Sequence, residues 1–278
     1  MKTINSISGG KTSAFIAANY KSDFNVFALV TTNEKDCIYK DDSLRKQVSQ
    51  RINREFIGTL EDDKIIKTIF ELEQFIGTEI TWVAGEPFEN IIKKKGDYLP
   101  NIMTRYCTSA LKLQPIFDFW QTQIGEPVEM RIGFRANETK RAQRMIKKTN
   151  ANGLLEFKTI IGKDKGRNRW GLIEWQKPKF PLIEANIFKD QIETFWKDKP
   201  VDFADFNNCV GCFHRNEMFL KFMSETHPNK FDWFINRETE TKNTFKNGIT
   251  YEKIKGYKMQ MGLFSEDFTN CDSGSCGI

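Results

Sequence analysis

Histidine is nearly missing from this chain, with His214 and His227 the only two in 278 residues. No Ser–His–Asp relay can be assembled from so few, and both read as ordinary surface or hydrogen-bonded side chains. No carboxylate spacing marks a paired-acid hydrolase. Long apolar runs are missing too. Nothing approaches the ~20 residues that span a bilayer, and no extended apolar segment opens the chain as a secretory signal would. The expectation is a cytoplasmic protein with no membrane partner. Internal repeats and low-complexity tracts are absent. Cysteine is sparse at six residues. In a cytosolic chain of this size that number favours metal binding or redox chemistry over a disulfide framework.

What is present describes a soluble globular chain. Charged residues make up 28% and hydrophobic ones 39%, enough for one large domain or a domain with an appendage. The formal net charge is +5, which suits an anionic ligand: a nucleotide, a sulfonucleotide or a nucleic acid. It is too mild to establish nucleic-acid binding, which favours clustered charge. The 24 phenylalanines are assigned mainly to the core.

Strand-like and helix-like segments alternate from the start. Thr3 to Ile7 reads as a strand, and Phe24 to Thr32 as a buried strand of the parallel type. Helices are expected from Asp42 to Phe56 and from Glu61 to Phe75, a strand at Glu79 to Val83, and a short helix at Pro87 to Lys95. A further strand, Val128 to Phe134, runs into the charged stretch Arg135 to Arg141. Asn150 to Arg169 is rich in Gly, Lys and Asn with little periodicity and reads as a mobile basic loop. An extended segment, Lys177 to Ile183, leads to a helix from Asn186 to Lys197. The alternation predicts an α/β fold, a doubly wound, mostly parallel sheet with helices on both faces. The sequence divides into a nucleotide-binding α/β domain, 1–200, and a C-terminal cysteine-containing subdomain and tail, 201–278.

The most informative hexapeptide is Ser8-Gly9-Gly10-Lys11-Thr12-Ser13, between the first strand and a helix that starts near Ala14. Two adjacent glycines let backbone turn sharply and approach a ligand. A helix N-terminus offers unpaired N–H groups and a positive dipole end. Hydroxyls and one ammonium complete a phosphate cradle. The spacing is not that of a Walker A loop. It matches S-G-G-x-x-S, the pyrophosphate loop of the adenine-nucleotide alpha-hydrolase superfamily.

With SGGKTSA (8–14), TTNE (31–34), RYCTSALKLQP (105–115), IGFRANETKR (132–141), CVGC (209–212) and the terminal SCGI (275–278), the chain resembles the phosphoadenosine phosphosulfate reductase family. The nearest likeness is to a phage and bacterial branch of poorly defined role. The resemblance implies a nucleotide across the carboxyl edge of the sheet, with Ser8, Gly9, Gly10, Lys11, Thr12 and Ser13 on its phosphate or sulfate. It places Thr32 and Glu34 beside the nucleotide, and Arg105, Lys112, Arg135 and Arg141 facing its anionic groups, where guanidinium forks and an ammonium suit phosphate or sulfate. A solvated helix face is an equal reading for Arg141. TTNE lacks the family's usual glycine at this turn, and Thr12 stands where many relatives carry Asp.

The cysteines leave alternatives open. Cys209 and Cys212, in C-x-x-C spacing, can grip one metal or cluster. Cys107 falls where assimilatory adenylylsulfate reductases carry paired cluster cysteines, with Tyr106 in place of one. The favoured set is a [4Fe–4S] cluster on Cys107, Cys209, Cys212 and a tail cysteine, Cys271 or Cys276. The rivals are a zinc site on Cys209, Cys212, Cys271 and Cys276, or a thiol pair that cycles as a disulfide. Cys37 reads as a small buried residue. The tail resembles the reductase tail whose cysteine attacks the sulfonucleotide sulfur, although Ser275 replaces a glutamate and the final histidine is missing. The resemblance thus names Cys276 as nucleophile. It also implies phosphoadenosine or adenosine phosphosulfate as substrate, thioredoxin or glutaredoxin as electron donor, and a homodimer as one possible state. The alternative is an enzyme that splits ATP between its α and β phosphates to modify DNA or transfer RNA, for instance by inserting sulfur. The basic stretch Lys163 to Arg169 leans that way.

Overall fold

The computed structural model describes residues 1–258. The first half runs β1 (Thr3–Ile7), α1 (Lys11–Asn19), β2 (Phe24–Leu29), β3 (Thr31–Thr32), α2 (Asp42–Arg51), β4 (Gly58–Thr59), α3 (Lys64–Ile76), β5 (Ile80–Ala84) and α4 (Phe88–Lys94). A helical run follows as α5 (Tyr106–Thr108), a π-helical turn Ser109–Leu113, and α6 (Gln114–Gln123). Then come β6 (Val128–Arg131), α7 (Thr139–Ile146), β7 (Leu155–Asp164), β8 (Arg167–Lys179), α8 (Pro181–Glu184) and α9 (Lys189–Trp196). The last helices are α10 (Glu217–Thr226), α11 (Pro228–Thr241) and α12 (Tyr251–Lys255). Among the described residues no helix is long and apolar enough to cross a membrane.

The fold is α/β. Its six-stranded sheet has the order β5-β2-β1-β6-β8-β7. β1 pairs in parallel with β2 and with β6, and β6 in parallel with β8. Only the β7–β8 pairing within this set is antiparallel. The chain leaves β1 for β2 on one side and later returns to its other side as β6. That reversal makes a topological switch point at the carboxyl ends of β1 and β6, the place where open α/β sheets bind ligands. Ile4 and Ile7 fix the buried positions of β1. Asn5 is also buried, and its amide donates to Asn25 Oδ1 at 3.0 Å and to the Tyr20 carbonyl at 2.9 Å, so burial leaves that amide paired.

Contacts divide the chain into two compact units. One comprises residues 1–27, 71–81 and 116–201, the other 28–70, 82–115 and 202–258 of the described chain. In the first, aromatic rings of Phe117, Trp120, Phe157 and Trp175 pack together, with Phe117 stacked on Phe157 at 4.3 Å. In the second, α10, α11 and α12 bury Phe219, Leu220, Phe231, Trp233, Phe234 and Tyr251. Each such fully buried apolar side chain contributes about 1.5–3 kcal/mol before entropy is counted.

The helix expected over Asp42 to Phe56 ends at Arg51, the one expected from Glu61 starts at Lys64, and the strand expected over Val128 to Phe134 ends at Arg131. Two segments depart further from the sequence reading. The extended stretch from Phe24 stops at Leu29, and Thr31–Thr32 pairs instead with Gly58–Thr59 in a separate antiparallel pair. Asn150 to Arg169 is mostly a regular hairpin rather than a loop, because β7 and β8 pair from Leu155 to Arg167.

Candidate functional site

Most of the expected site residues that the structure describes fall into two groups, one in each compact unit. The first surrounds the switch point. Gly9 has φ +77°, a conformation glycine adopts at no steric cost. Gly10 occupies the N-cap of α1, and no side chain caps the helix. Its first turn is thus positioned as an anion-binding end. Ser13 organises the turn from inside: the Ser8 N–H donates to Ser13 Oγ at 3.0 Å, and Ser13 Oγ donates to the Gly10 carbonyl at 3.0 Å. Ser8 Oγ lies 3.0 Å from the same oxygen. Lys11 reaches Glu193 on α9 in an ion pair, and Trp196 Nε1 donates to the Lys11 carbonyl at 3.0 Å.

The end of β6 closes on this turn. A Cβ added at Gly133 would lie 3.3 Å from Thr12 Cγ2 and 3.5 Å from the Ser13 nitrogen. Two residues on, Arg135 is buried, and its Nε donates to Glu138 Oε2 at 3.1 Å. Glu138 also pairs with Arg141, whose guanidinium stands 4.3 Å from the Phe134 ring centroid. Arg141 is therefore a packed and paired residue, with its side chain 25% exposed. One carboxylate holds both guanidinium groups in place.

The second group lines a cavity with about 480 Å³ of empty space, part of it open to solvent. Cys107 reaches it from α5, and Cys209 and Cys212 from the segment before α10; Arg105, Lys112 and His214 share the wall with Val30, Phe88, Leu111 and Phe234. Cys212 is buried, while Cys107 and Cys209 are half-buried. The CVGC turn is fixed from three sides. Val210 N–H donates to the Leu60 carbonyl at 2.8 Å, and Tyr251 Oη donates to the Gly211 carbonyl at 2.9 Å. A Cβ on Gly211 would meet the Phe234 ring at 2.4 Å. Burial drives the Tyr251 phenol well above its ordinary range, with Cys212, Glu238, Cys209 and Cys107 adding to it.

Charge in this cavity is managed by pairing. Lys112, within the π-helical turn, donates to Glu61 Oε1 at 2.9 Å. Glu61 is 1% exposed, and its Oε2 has no hydrogen-bond partner among the described residues. Lys230 Nζ donates to the Glu61 carbonyl at 2.6 Å. His214 has its pKa pushed down to about 4 by burial, with Arg105 and Lys246 contributing, so it is neutral near pH 7. Its Nε2 has no hydrogen-bond partner among the described residues.

Thr32 and Glu34 are not among the lining residues of this cavity. Thr32 Oγ1 donates to Glu89 Oε2 at 3.0 Å, and Glu34 lies 3.4 Å from Arg237. Cys37 is buried and holds its thiol proton, burial raising its pKa to about 12. Cys271 and Cys276 lie outside the described residues. Glu61, Glu138 and Glu193 escaped the sequence reading. Glu138 carried a signal, since it stands three residues from each of its arginines, a spacing that meets on helical turns. Glu61 and Glu193 carried none: their partners are 51 and 182 residues away.

No protein-family model, curated protein or solved structure matches this chain. A functional reading therefore rests on the two groups of residues themselves.

By donor chemistry alone the three thiols, from two segments on one apolar wall with cations nearby, are of the soft type that iron–sulfur clusters take. Among the described residues no three histidine, cysteine or carboxylate side chains close on a single metal ion.

Proposed function

We propose that this chain is a phosphoadenosine phosphosulfate reductase-like enzyme, which binds an adenine sulfonucleotide at Ser8 to Ser13 and performs thiol-dependent sulfur chemistry. The observation that carries the reading is that Cys107, Cys209 and Cys212 line the wall of one cavity. It favours a ligand set that includes Cys107 over a zinc site that omits it. The switch-point turn supports the nucleotide half, because it combines a left-handed glycine, an uncapped helix start and the nearby Arg135.

In this reading the turn and Arg135 hold the anionic end of the nucleotide. The Cys276 thiolate attacks the sulfate sulfur, and the bond from that sulfur to the phosphate oxygen breaks. Adenosine phosphate leaves with the electron pair, and the cysteine becomes an S-sulfonate. A thiolate of thioredoxin or glutaredoxin then attacks the Cys276 sulfur, releases sulfite and leaves a mixed disulfide, which the donor's second thiol resolves. The two electrons come from that dithiol. A [4Fe–4S] cluster, when bound by Cys107, Cys209, Cys212 and Cys271, would supply a compact redox-active charge. Lys112 is kept in place for an anion by Glu61.

The second reading, an adenylating ATP pyrophosphatase that modifies DNA or transfer RNA, is favoured by one feature, the concentration of positive charge on β7 and β8. The two separate in one assay. Protein purified without oxygen is incubated with labelled phosphoadenosine or adenosine phosphosulfate and reduced thioredoxin. Sulfite is expected from the wild type and not from Cys276→Ser. Undiminished sulfite from that variant would remove Cys276 as nucleophile. No sulfite from either, with pyrophosphate released from ATP on adding transfer RNA or DNA, would establish the second reading. Iron and sulfide analysis decides the metal: about four of each per chain for the cluster, zinc alone for its rival.

A further inference from the structure

The arm made by β7 and β8 plays no part in either group of site residues. β8 pairs with β6 only from Gln176 to Lys179, and from Arg167 to Glu174 it pairs with β7. Ten consecutive residues, Ile161 to Trp170, are exposed although the two strands stay paired on either side of the turn. The base is anchored by Phe157 and Trp175 against Phe117, with rings 4.3–6.0 Å apart. Asn150, just past α7, donates to Glu174 Oε1 at 2.5 Å and so ties the arm to that helix.

The register sorts the side chains. Ile160 lies opposite Trp170, and Lys158 opposite Leu172, so these four share one face, and Lys163 opposite Asn168 continues it. Ile160, Trp170 and Leu172 are 44%, 57% and 62% exposed. The face is thus apolar and aromatic between lysines. Arg167 and Arg169 stand on the opposite face of the same ribbon.

Charge is concentrated here. Residues 140–172 hold ten Lys or Arg against two Asp or Glu, while the remainder of the chain holds 32 against 35. The net +5 is therefore an acidic body with a basic limb. Lys140, Arg144, Lys147 and Lys148 are exposed on and just after α7.

We propose that the β7–β8 ribbon is a nucleic-acid-binding arm, which takes a strand with unpaired bases: backbone phosphates on its lysines and arginines, and a base stacked on Trp170. Charge complementarity selects this occupant. Cations flanking an exposed indole are what single-stranded nucleic acid uses, by backbone neutralisation and base stacking. Strand addition by a second copy is disfavoured by the edge itself. β7 is the outer strand, and it carries lysines and a bulge between Ile160 and Gly162, features that protect an edge from pairing. The proposal goes beyond the nucleotide reading and does not depend on it, since binding is measured without nucleotide.

The experiment is fluorescence anisotropy of a labelled 20-nucleotide single-stranded RNA and its DNA counterpart, titrated with full-length protein from 50 to 200 mM salt. Wild type is expected to bind saturably. The variant carrying Lys163→Ala, Lys165→Ala, Arg167→Ala and Arg169→Ala is expected to bind at least tenfold more weakly, with a salt slope shallower by roughly 2–3. Trp170→Ala is expected to lose about 5- to 150-fold with the slope unchanged. All five residues are exposed, and unchanged thermal unfolding checks that each variant folds. Four outcomes overturn the proposal: no saturable binding by wild type at 50 mM salt; variants that match wild type in affinity and slope; binding to phosphatidylserine vesicles but not to either oligonucleotide; or variants that leave binding intact while changing the protein's elution from dimer to monomer.

Discussion

Gly211 separates the two cysteines of the CVGC turn, and its side is filled by a neighbouring ring. The nearest atom to an added Cβ would be Phe234 Cγ at 2.4 Å, well inside contact distance. Gly211→Ala is expected to lower stability by about 1–3 kcal/mol through overpacking. Thermal unfolding of the two proteins checks it; an unchanged Tm would mean that the Phe234 ring yields freely. Cys37 marks the opposite extreme, a cysteine with its proton locked on by burial. At this scale the sequence was readable where function repeats a local pattern. C-x-x-C is legible from its spacing alone, whereas Cys107, about a hundred residues earlier, reaches the same cavity wall only through the fold. Glu61 was not readable. Its importance comes from Lys112 and Lys230, which reach it through the fold rather than along the chain.

The switch-point elements approach so closely at Gly133 that even a Cβ would be a tight contact. Gly133 lets the end of β6 lie against Thr12 and Ser13. Gly133→Val is expected to push the turn away and weaken adenine-nucleotide binding about tenfold or more, with the sheet intact. Isothermal titration with ATP and with adenosine phosphosulfate, beside far-ultraviolet circular dichroism, separates those effects; wild-type affinity in a folded variant would remove the turn from the binding site. Most strands and helices were legible as elements because each buries one face and repeats at its own period. The β7–β8 ribbon was not. Over Ile161 to Trp170 both of its faces are exposed, so the sequence carries no apolar alternation to reveal a strand. Thr31 was absorbed into the preceding strand because the apolar run continues through Val30; only pairing with Thr59 separates it.

The molecule as a whole carries an uneven charge and a pH-sensitive core position. Glu238 accepts hydrogen bonds from the Phe245 N–H at 3.0 Å and the Tyr251 N–H at 2.7 Å. Burial nevertheless raises its pKa above the ordinary carboxylate value, against the effect of those two bonds. The folded state therefore holds this proton more tightly than the unfolded chain. Its contribution to stability is full below the unfolded pKa, near 4.3, and is lost as pH rises through the folded value. Urea unfolding of wild type and Glu238→Gln at pH 4.5 and 7.5 is expected to show the variant gaining on wild type at the higher pH. A constant difference would contradict it. The pairing of Lys11 with Glu193 has a different consequence, one that concerns competition for the lysine. Both side chains are about 40% exposed, and such pairs are worth at most about 1 kcal/mol. An anion that claims Lys11 displaces a carboxylate already seated there, and that carboxylate stands ready to reclaim the lysine. In the proposed enzyme, removing that competitor with Glu193→Gln is expected to tighten nucleotide binding, which isothermal titration checks.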